Sequence, residues 1–228
     1  MEAIILAGGF GKRLRKVVKD VPKPMAKIGS IPFLEIIIKK LKRSGFKHII
    51  LSLGYLSEQI SSYFGSNYEN IEISYSFEEH PLGTGGAIKK AIEKVKNNYF
   101  YVFNGDTYLD LEIEELDMRF CQTENHIIVG KLLDDVSRYG MIFSENGLVK
   151  RFNEKRSEGS GIINAGCYVF RKDIIKQLPS KNNFSLEYDF LPNLINQEKV
   201  ILFISQGEFI DIGTPEDYKK AQKILSNL

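Results

Sequence analysis

Three glycines and three cations lie between Leu6 and Arg15, in the segment L-A-G-G-F-G-K-R-L-R. Bare glycine amides beside Lys12 and Arg13 would suit the charged oxygens of a polyphosphate. Neither familiar phosphate motif fits, because a P-loop needs glycine where this chain has Leu6, and the dinucleotide fingerprint needs glycine where it has Leu14. The segment therefore predicts either a polyphosphate-binding loop of another kind or an ordinary strand-to-helix turn with solvated cations.

Two acidic residues follow strand-like runs further along the chain. Asp106 comes after the apolar run 99–103, in N-G-D, and Asp211 lies between apolar residues in F-I-D-I-G. A lone buried carboxylate is costly, whereas two acids beside a phosphate-binding loop would suit Mg²⁺, which prefers carboxylates and phosphate oxygens. A simpler interpretation stays open, in which Asp106 caps a turn and Asp211 pairs with a lysine.

Glycines also accumulate in E-E-H-P-L-G-T-G-G-A, from Glu78 to Ala87, directly before a helical pattern. Such a loop could press its backbone against a flat ring, or it could simply begin a helix with Thr84 as the cap. The residues themselves leave both alternatives open.

The elements that must position these residues alternate between strand and helix in the first half of the chain. Strands are predicted at 3–6, 48–53, 71–77 and 99–103, and helices at 33–41, 57–64 and 87–95. Strict alternation is typical of a parallel sheet covered on both faces. Ligands bind such sheets beyond the carboxyl ends of the strands, where the glycine-rich turn and Asp106 are expected.

The second half of the chain does not show this strict alternation of strand and helix. Strands are predicted at 126–132, 162–170 and 200–205, a hairpin around E-N-G within 141–152, and helices at 172–177, 186–196 and from Thr214 onward. No repeat or linker interrupts the chain, so we expect a single domain over 1–228.

Bulk composition limits the class of protein. The 228 residues are 43% hydrophobic, and 31 basic against 29 acidic side chains give a net charge of +2, which argues against binding nucleic acid by general basicity. No apolar run approaches the ~20 residues of a membrane span. Two distant cysteines and an N-terminus without a signal-like run favour a reduced, cytoplasmic setting. The three histidines are scattered, and we interpret them as structural or surface residues.

A series of short motifs, taken in their order, resembles the sugar-1-phosphate nucleotidyltransferase family. The motifs are L-A-G-G-F-G-K-R-L at 6–14, P-K-P-M at 22–25, P-L-G-T-G-G-A at 81–87, N-G-D at 104–106, R-Y-G at 138–140, F-N-E-K at 152–155, N-A-G at 164–166 and D-I-G-T-P at 211–215. The resemblance implies an α/β, Rossmann-like fold with a mainly parallel central sheet flanked by helices and a mixed-strand sugar-binding half. It implies a nucleotide-binding part over about 1–110 and a sugar-phosphate-binding part over about 111–228.

The resemblance also implies roles for individual residues. Arg13, Lys23 and Asp106 would be catalytic, and Asp106 and Asp211 would hold Mg²⁺. The implied nucleotide-binding residues are Leu6, Ala7, Gly8, Gly9, Gly11, Lys12, Arg13, Glu78, Gly83, Thr84, Gly85 and Asn104. The implied sugar-phosphate-binding residues are Tyr139, Gly140, Glu154, Lys155, Asn164 and Gly166. The family usually has threonine at Lys12, and this cation could contact the leaving pyrophosphate or point to solvent.

Within the family, the length of the chain and its P-L-G-T-G-G-A loop are similar to the guanylyltransferases. The type that makes GDP-heptose for bacterial surface polysaccharide comes first, and the mannose 1-phosphate type second. The implied partners are GTP and D-glycero-D-manno-heptose 1-phosphate, with no nucleic acid, no membrane and a homodimer as one expected assembly. A non-catalytic regulatory homologue and a metal-dependent glycosyltransferase stay open, although Arg13, Lys23, Asp106 and Asp211 are intact and the Asp-x-Asp motif of the latter class is absent.

Overall fold

A computed structural model describes residues 1–11, 13–14, 17–18, 20–153 and 158–226. The strands are β1 (Glu2–Leu6), β2 (Lys27–Ile28), β3 (Ile31–Pro32), β4 (His48–Leu53), β5 (Asn67–Tyr68), β6 (Ile71–Phe77), β7 (Tyr99–Asn104), β8 (Thr107–Leu109), β9 (His126–Leu133), β10 (Met141–Glu145), β11 (Leu148–Asn153), β12 (Gly161–Arg171), β13 (Val200–Ser205) and β14 (Phe209–Asp211). The α-helices are α1 (Phe33–Arg43), α2 (Ser57–Phe64), α3 (Gly83–Ala91), α4 (Ile113–Thr123), α5 (Leu191–Gln197) and α6 (Pro215–Leu225).

Ten of these strands form one sheet, in the order β10-β11-β13-β9-β12-β7-β1-β4-β6-β5. Strands β7, β1, β4 and β6 are parallel to one another, as the alternating pattern predicted. Strand β12 is antiparallel to both of its neighbours, β7 and β9, so it joins the parallel half to the mixed half. The predicted α/β fold with helices and a mixed second half is confirmed, but the sheet as a whole is mixed, because in the described part of the chain four of its nine adjacent strand pairs are parallel and five are antiparallel.

Side chains of the central strands alternate between two hydrophobic layers. In β1, Ile4 packs with Ile50 and Val102 on one face, and Ile5 packs with Leu51 on the other. All of these side chains are fully buried. Because both faces of the parallel strands are covered, these strands read as continuous apolar runs. No helix in the described ranges is long and apolar enough to cross a lipid bilayer.

Three helical segments differ from the expectations. Helix α4 was not predicted, although Ile113, Leu116 and Phe120 provide its buried face at helical spacing. Helix α3 begins at Gly83, earlier than predicted, and its N-cap residue is Leu82, so the interpretation of Thr84 as the cap is wrong. The segment predicted as one helix over 186–196 is a π-helical turn, Leu186–Phe190, followed by α5.

Candidate active site

The carboxyl ends of three neighbouring strands form the base of the site. The register pairs Leu6, at the end of β1, with Ser52 of β4 and Asn104 of β7. Beyond the strands, the Ala7 N–H donates to the carbonyl of Ser52 at 2.8 Å, and the Gly105 N–H donates to the carbonyl of Leu6 at 2.9 Å. The glycine-rich turn and the N-G-D turn therefore leave the sheet side by side, where ligands of parallel sheets bind.

These turns enclose a cleft with a volume of about 450 Å³. Its walls contain ten of the residues expected to bind nucleotide, namely Leu6, Ala7, Gly8, Gly9, Gly11, Arg13, Glu78, Gly83, Thr84 and Asn104, together with Lys23 and Asp106. Phe10, Pro24, Pro81, Ala87 and Gly213 complete the lining. Gly85 does not line the cleft, and Lys12 lies outside the described residues.

Leu14 anchors the glycine-rich turn. This side chain is 1% exposed, and its N–H donates to the carbonyl of Gly11 at 3.0 Å. Gly11 has a φ of +56°, and a Cβ there would lie 2.8 Å from the Cβ of Lys23, so only glycine lets the turn pass over the lysine. Arg13, next to Leu14, is exposed and lines the cleft.

Lys23 enters the cleft from a short 3₁₀ turn, Lys23–Met25, which begins after an extended proline. Its ammonium nitrogen lies 2.7 Å from Oδ2 of Asp106 and 3.6 Å from Oδ1 of Asp211. The lysine side chain is only 10% exposed, so this charge is largely removed from water. Asp211 therefore has the lysine partner that the simpler interpretation predicted. The same lysine also contacts Asp106, so it brings the two carboxylates together.

The pairing of two short strands explains how acids so far apart in sequence meet. In the β8–β14 ribbon, Asp211 lies opposite Thr107. One residue further, the Ile212 N–H donates to the carbonyl of Asp106 at 3.0 Å. A Cβ at Gly213 would lie 2.8 Å from Oδ2 of Asp211, so a side chain there would displace the carboxylate.

The charge balance at the two acids favours a cation. Burial raises the pKa of Asp211, Lys23 opposes this increase, and the Asp106 and Asp217 carboxylates add to it. Mg²⁺ is usually bound by one or two carboxylates, with water and phosphate oxygens completing the octahedron. Within the described ranges, no cluster of three or more histidine, cysteine or acidic side chains could hold a metal. Asp106 and Asp211 therefore fit a magnesium ion shared with a phosphate, not a closed all-protein site.

Arg138 makes a contact in this corner that the sequence analysis missed. Its guanidinium donates to both carboxylate oxygens of Asp217, at 3.0 and 2.6 Å, and lies 3.9 Å from Oδ2 of Asp211. Asp217 also accepts from the hydroxyl of Thr214 at 2.6 Å, at the start of α6. Arg138 thus ties the R-Y-G segment to the helix that follows Asp211. The sequence shows the R-Y-G motif, but it contains no signal that pairs Arg138 with Asp217.

The expected sugar-phosphate residues that the structure describes are near this corner or next to the cleft. The Tyr139 ring lies 5.5 Å from the Arg138 guanidinium and 5.8 Å from the Phe209 ring, and burial raises the pKa of Tyr139 to about 12. Gly140, the next residue, is half-buried. A Cβ at Gly166 would lie 2.2 Å from the amide nitrogen of Asn104, a residue of the cleft. Glu154 and Lys155 lie outside the described residues.

A second glycine cluster, at 83–86, packs against the segment around Phe184, for which the sequence contains no signal. The Gly85 N–H donates to the carbonyl of Phe184 at 3.0 Å, and the Phe184 N–H donates to the carbonyl of Leu82 at 3.0 Å. A Cβ at Gly85 would lie 2.2 Å from the Phe184 ring, and one at Gly83 would lie 2.5 Å from its carbonyl oxygen. The loop does press against a flat ring, but for Gly85 this ring is the buried Phe184.

A further cavity, of about 520 Å³, lies between α1 and the segment 108–115. It contains none of the expected site residues. Both of its lysines already have acidic partners, because Lys39 pairs with Glu35 at 2.6 Å and Lys40 pairs with Asp110. We assign the chemistry to the smaller cleft, because Arg13, Lys23 and Asp106 line it and Asp211 lies 3.6 Å from the Lys23 nitrogen.

Comparisons with known proteins identify relatives of this chain. The nucleotidyl transferase family model matches residues 2–227. A D-glycero-alpha-D-manno-heptose 1-phosphate guanylyltransferase from Aneurinibacillus thermoaerophilus is 43% identical, over 100% of this chain and 99% of that protein. A mannose-1-phosphate guanylyltransferase from Mycobacterium tuberculosis is 32% identical over 99% of this chain and 64% of its own length. The crystal structure of HddC from Yersinia pseudotuberculosis complexed with GMP-PN superposes with a TM-score of 0.87 and 39% identity, over 98% of this chain and 99% of that one.

Proposed function

Because the chain belongs to the nucleotidyl transferase family, we propose that it transfers GMP from GTP to D-glycero-D-manno-heptose 1-phosphate. The products are GDP-heptose and pyrophosphate. The observation that carries this proposal is the 43% identity to a heptose 1-phosphate guanylyltransferase over the full length of both chains. We further propose that the reaction occurs in the cytoplasm and supplies surface polysaccharide synthesis.

The reaction is an in-line displacement. A phosphate oxygen of the sugar 1-phosphate forms a bond to the α-phosphorus of GTP, the bond from that phosphorus to the bridging oxygen breaks, and pyrophosphate leaves with the bonding electrons. The attacking oxygen is already anionic at neutral pH, so the reaction needs no general base and no covalent nucleophile. The side chains that line the cleft in the described ranges include no histidine or cysteine, which agrees with such a reaction.

The protein's task is then to bring two polyanions together. Arg13 and Lys23 supply positive charge on the phosphate side of the cleft, and the turn 8–11 supplies backbone amides. Arg13 lines the cleft and is exposed, so its guanidinium can reach phosphate oxygens. Lys23, held by Asp106, is positioned before substrate arrives, so little entropy is lost on binding.

Asp106 and Asp211 would hold Mg²⁺ together with phosphate oxygens of the nucleotide. When bound, the ion would neutralise part of the phosphate charge and orient the oxygens around the α-phosphorus. The carboxylates are well suited to this role because Asp211 is largely buried and both contact one nitrogen.

On the sugar side, we assign Tyr139, Gly140, Asn164 and Gly166 to the sugar phosphate, with Glu154 and Lys155 as further members of this part, 111–228. The nucleotide part is 1–110. The position of Gly166 against Asn104 supports this assignment, because it joins the two parts at the cleft.

The guanine ring would lie between the turn 7–9 and the loop 78–86. Backbone amides and carbonyls can select one base, because a competing base would leave a polar group of the site without a hydrogen-bond partner. Glu78 lines this part of the cleft and is held by Ser52, whose hydroxyl donates to Oε1 at 3.1 Å, and by the Leu82 N–H, which donates to Oε2 at 3.1 Å.

The proposal is tested by measuring pyrophosphate release with each of the four ribonucleoside triphosphates against D-glycero-D-manno-heptose 1-phosphate and mannose 1-phosphate. We expect GTP with the heptose phosphate to give the highest kcat/KM. Efficient use of mannose 1-phosphate with none of the heptose phosphate would replace the sugar assignment. A preference for another base would contradict guanylyl transfer, and nucleotide binding without any turnover would indicate a regulatory homologue.

A further inference from the structure

A chain of polar groups connects the nucleotide loop to the expected sugar site through Glu187. Its Oε2 accepts from the hydroxyl of Thr84 at 2.6 Å and from that of Ser185 at 2.9 Å. Its Oε1 accepts from the hydroxyl of Tyr168 at 3.2 Å. The Tyr168 oxygen in turn accepts from Nδ2 of Asn164 at 2.7 Å. Neither Glu187 nor Tyr168 belongs to one of the sequence motifs described above.

The direction of each bond in this chain is fixed. Two of the three hydroxyl oxygens already accept from a backbone N–H group: Thr84 from Leu186 at 2.8 Å and Ser185 from Tyr188 at 3.2 Å. Because the Glu187 carboxylate can only accept, each of the three hydroxyl groups, including that of Tyr168, donates its hydrogen to it. An ionised carboxylate only accepts, so it meets the needs of all three donors.

The orientation of the Asn164 amide follows from these directions. Because the Tyr168 hydroxyl donates to Glu187, its oxygen can only accept, and Asn164 must turn its NH₂ group toward it. The Oδ1 of Asn164 then faces the backbone, where the Gly166 N–H donates to it at 3.1 Å. Burial raises the pKa of Tyr168 well above its usual value, so the hydroxyl keeps the proton that this arrangement requires.

The two ends of the chain of bonds lie on the two substrate sides. Thr84 lines the nucleotide cleft. Asn164 and Gly166 lie at an irregularity of β12, where its register with β9 shifts between Asn164 and Cys167. Such bulges redirect side chains next to active sites. The Glu187 carboxylate is therefore hydrogen-bonded to Thr84 on the nucleotide side and, through Tyr168, connected to Asn164 on the sugar side.

We propose that Glu187 is a positioning residue that sets the orientation of Asn164 toward the sugar phosphate and of Thr84 toward the nucleotide. This inference rests on the proposed function, in which Asn164 contacts the sugar. Glu187 itself touches neither substrate. Its effect passes through Tyr168 on the sugar side and directly through Thr84 on the nucleotide side.

The decisive variant is Glu187→Gln, which keeps the shape of the side chain and removes its ability to accept at both ends. The new NH₂ group is a donor that would face one donating hydroxyl on the Tyr168 side, but two on the side of Thr84 and Ser185. It will therefore face Tyr168, whose oxygen then meets two donors, and the Asn164 amide is displaced. We expect KM for the heptose phosphate to rise about tenfold, the effect of one lost buried hydrogen bond, with KM for GTP changed less than about twofold.

Tyr168→Phe and the double variant test the route. Tyr168→Phe should also raise KM for the heptose phosphate about tenfold. In the double variant the increases should not multiply, because both substitutions break the same connection. Ser185→Ala is the matched control: it removes one donor to Glu187 and the cap of the π-helical turn, so it should lower the Tm but leave both KM values within about twofold.

The inference is overturned if Glu187→Gln leaves KM for the sugar phosphate unchanged, if the two effects multiply, or if Ser185→Ala reproduces them. Should Glu187→Gln not fold, Tyr168→Phe alone decides, since an unchanged sugar KM there also overturns the inference. If the wild type prefers mannose 1-phosphate, the same comparison is made with that substrate, so only the sugar assignment changes. No turnover by the wild type with any sugar phosphate would overturn both proposals.

Discussion

The ammonium nitrogen of Lys23 lies 2.7 Å from Oδ2 of Asp106, in contact with the acid that is expected to bind metal. The same nitrogen lies 3.6 Å from Oδ1 of Asp211. One cation thus holds together two carboxylates from distant parts of the chain. In the absence of substrate this contact offsets their repulsion, and the group that offsets it is also the cation best placed to meet a phosphate.

Replacement of Lys23 should therefore impair both binding and rate. In Lys23→Ala the acids lose their internal counter-charge and the phosphates lose a cation, so kcat/KM should fall at least about 100-fold. Steady-state kinetics with varied GTP measures the loss. Lys27→Ala, at an exposed lysine of β2, should behave as the wild type. A Lys23 variant with normal KM for GTP would remove this residue from the phosphate site.

Arg13→Ala should lower kcat by a factor of about 100 to 1,000, which corresponds to about 3–4 kcal/mol for one preorganised donor on developing charge. KM for the sugar phosphate should change little, because Arg13 lines the nucleotide cleft. Single-turnover measurements separate the chemical step from binding. Arg119→Ala, an exposed arginine on α4, is the control, and normal turnover in Arg13→Ala would make Arg13 a solvated surface cation.

Asp106→Asn and Asp211→Asn should each raise the Mg²⁺ concentration required for half-maximal rate and lower the rate at saturation. Each substitution removes one anionic ligand while keeping the shape of the side chain. Rates measured over a Mg²⁺ titration test this, with Asp110→Asn as the control, since Asp110 pairs with Lys40 outside the cleft. A nucleotide-bound crystal structure with an ion about 2.1 Å from only one acid would exclude the shared site.

Gly85→Ala should destabilise the fold by about 1–3 kcal/mol, because the new methyl group would overlap the Phe184 ring. Urea unfolding gives the free energy of unfolding for each variant. Gly9→Ala is the control, since a Cβ at Gly9 has no atom within 4 Å. Phe184→Leu in the Gly85→Ala background should restore part of the loss, and no restoration would place the strain elsewhere.

His126 should make the free energy of unfolding depend on pH. Burial, with Arg171 contributing, lowers the pKa of His126 to about 4 from an ordinary value of 6.5. The folded state therefore disfavours the protonated ring, and stability is lost as the pH falls from 6.5 to 4, by about 3 kcal/mol in all. Urea unfolding between pH 7 and pH 4 should show this loss in the wild type but not in His126→Gln. The exposed His80→Gln should retain it, and equal slopes in all three proteins would contradict the assignment.

The sequence predicted the central elements well where burial imposes a strong pattern. The bounds of β4, α2 and β6 agree with the predictions, since apolar runs or helical periodicity define them. The β8–β14 ribbon was missed, because strands of three residues show no periodicity. That ribbon brings Asp211 to Asp106, so the sequence could suggest that the two acids suit Mg²⁺ but could not show which contact brings them together.

The glycines around the cleft could be recognised in the sequence, whereas the side chains that pack against them could not. Glycine in a loop indicates that something approaches closely, but it does not identify what approaches. At Gly85 the approaching group is Phe184, and the sequence contains no local signal that joins the two. Glu187 was missed for the same reason, since its partners Thr84 and Tyr168 come from other elements.

The position of β12 has a consequence for any attempt to cut the protein into fragments. This strand belongs to the second half of the chain, yet it hydrogen-bonds along β7 of the first half. A fragment ending near residue 110 would keep β7 with the unpaired edge of an apolar strand, Y-F-Y-V-F, facing solvent. Such edges recruit other chains and lead to aggregation. The nucleotide-binding half is therefore expected to be insoluble when expressed alone, and variants for sugar specificity are best made in the intact chain.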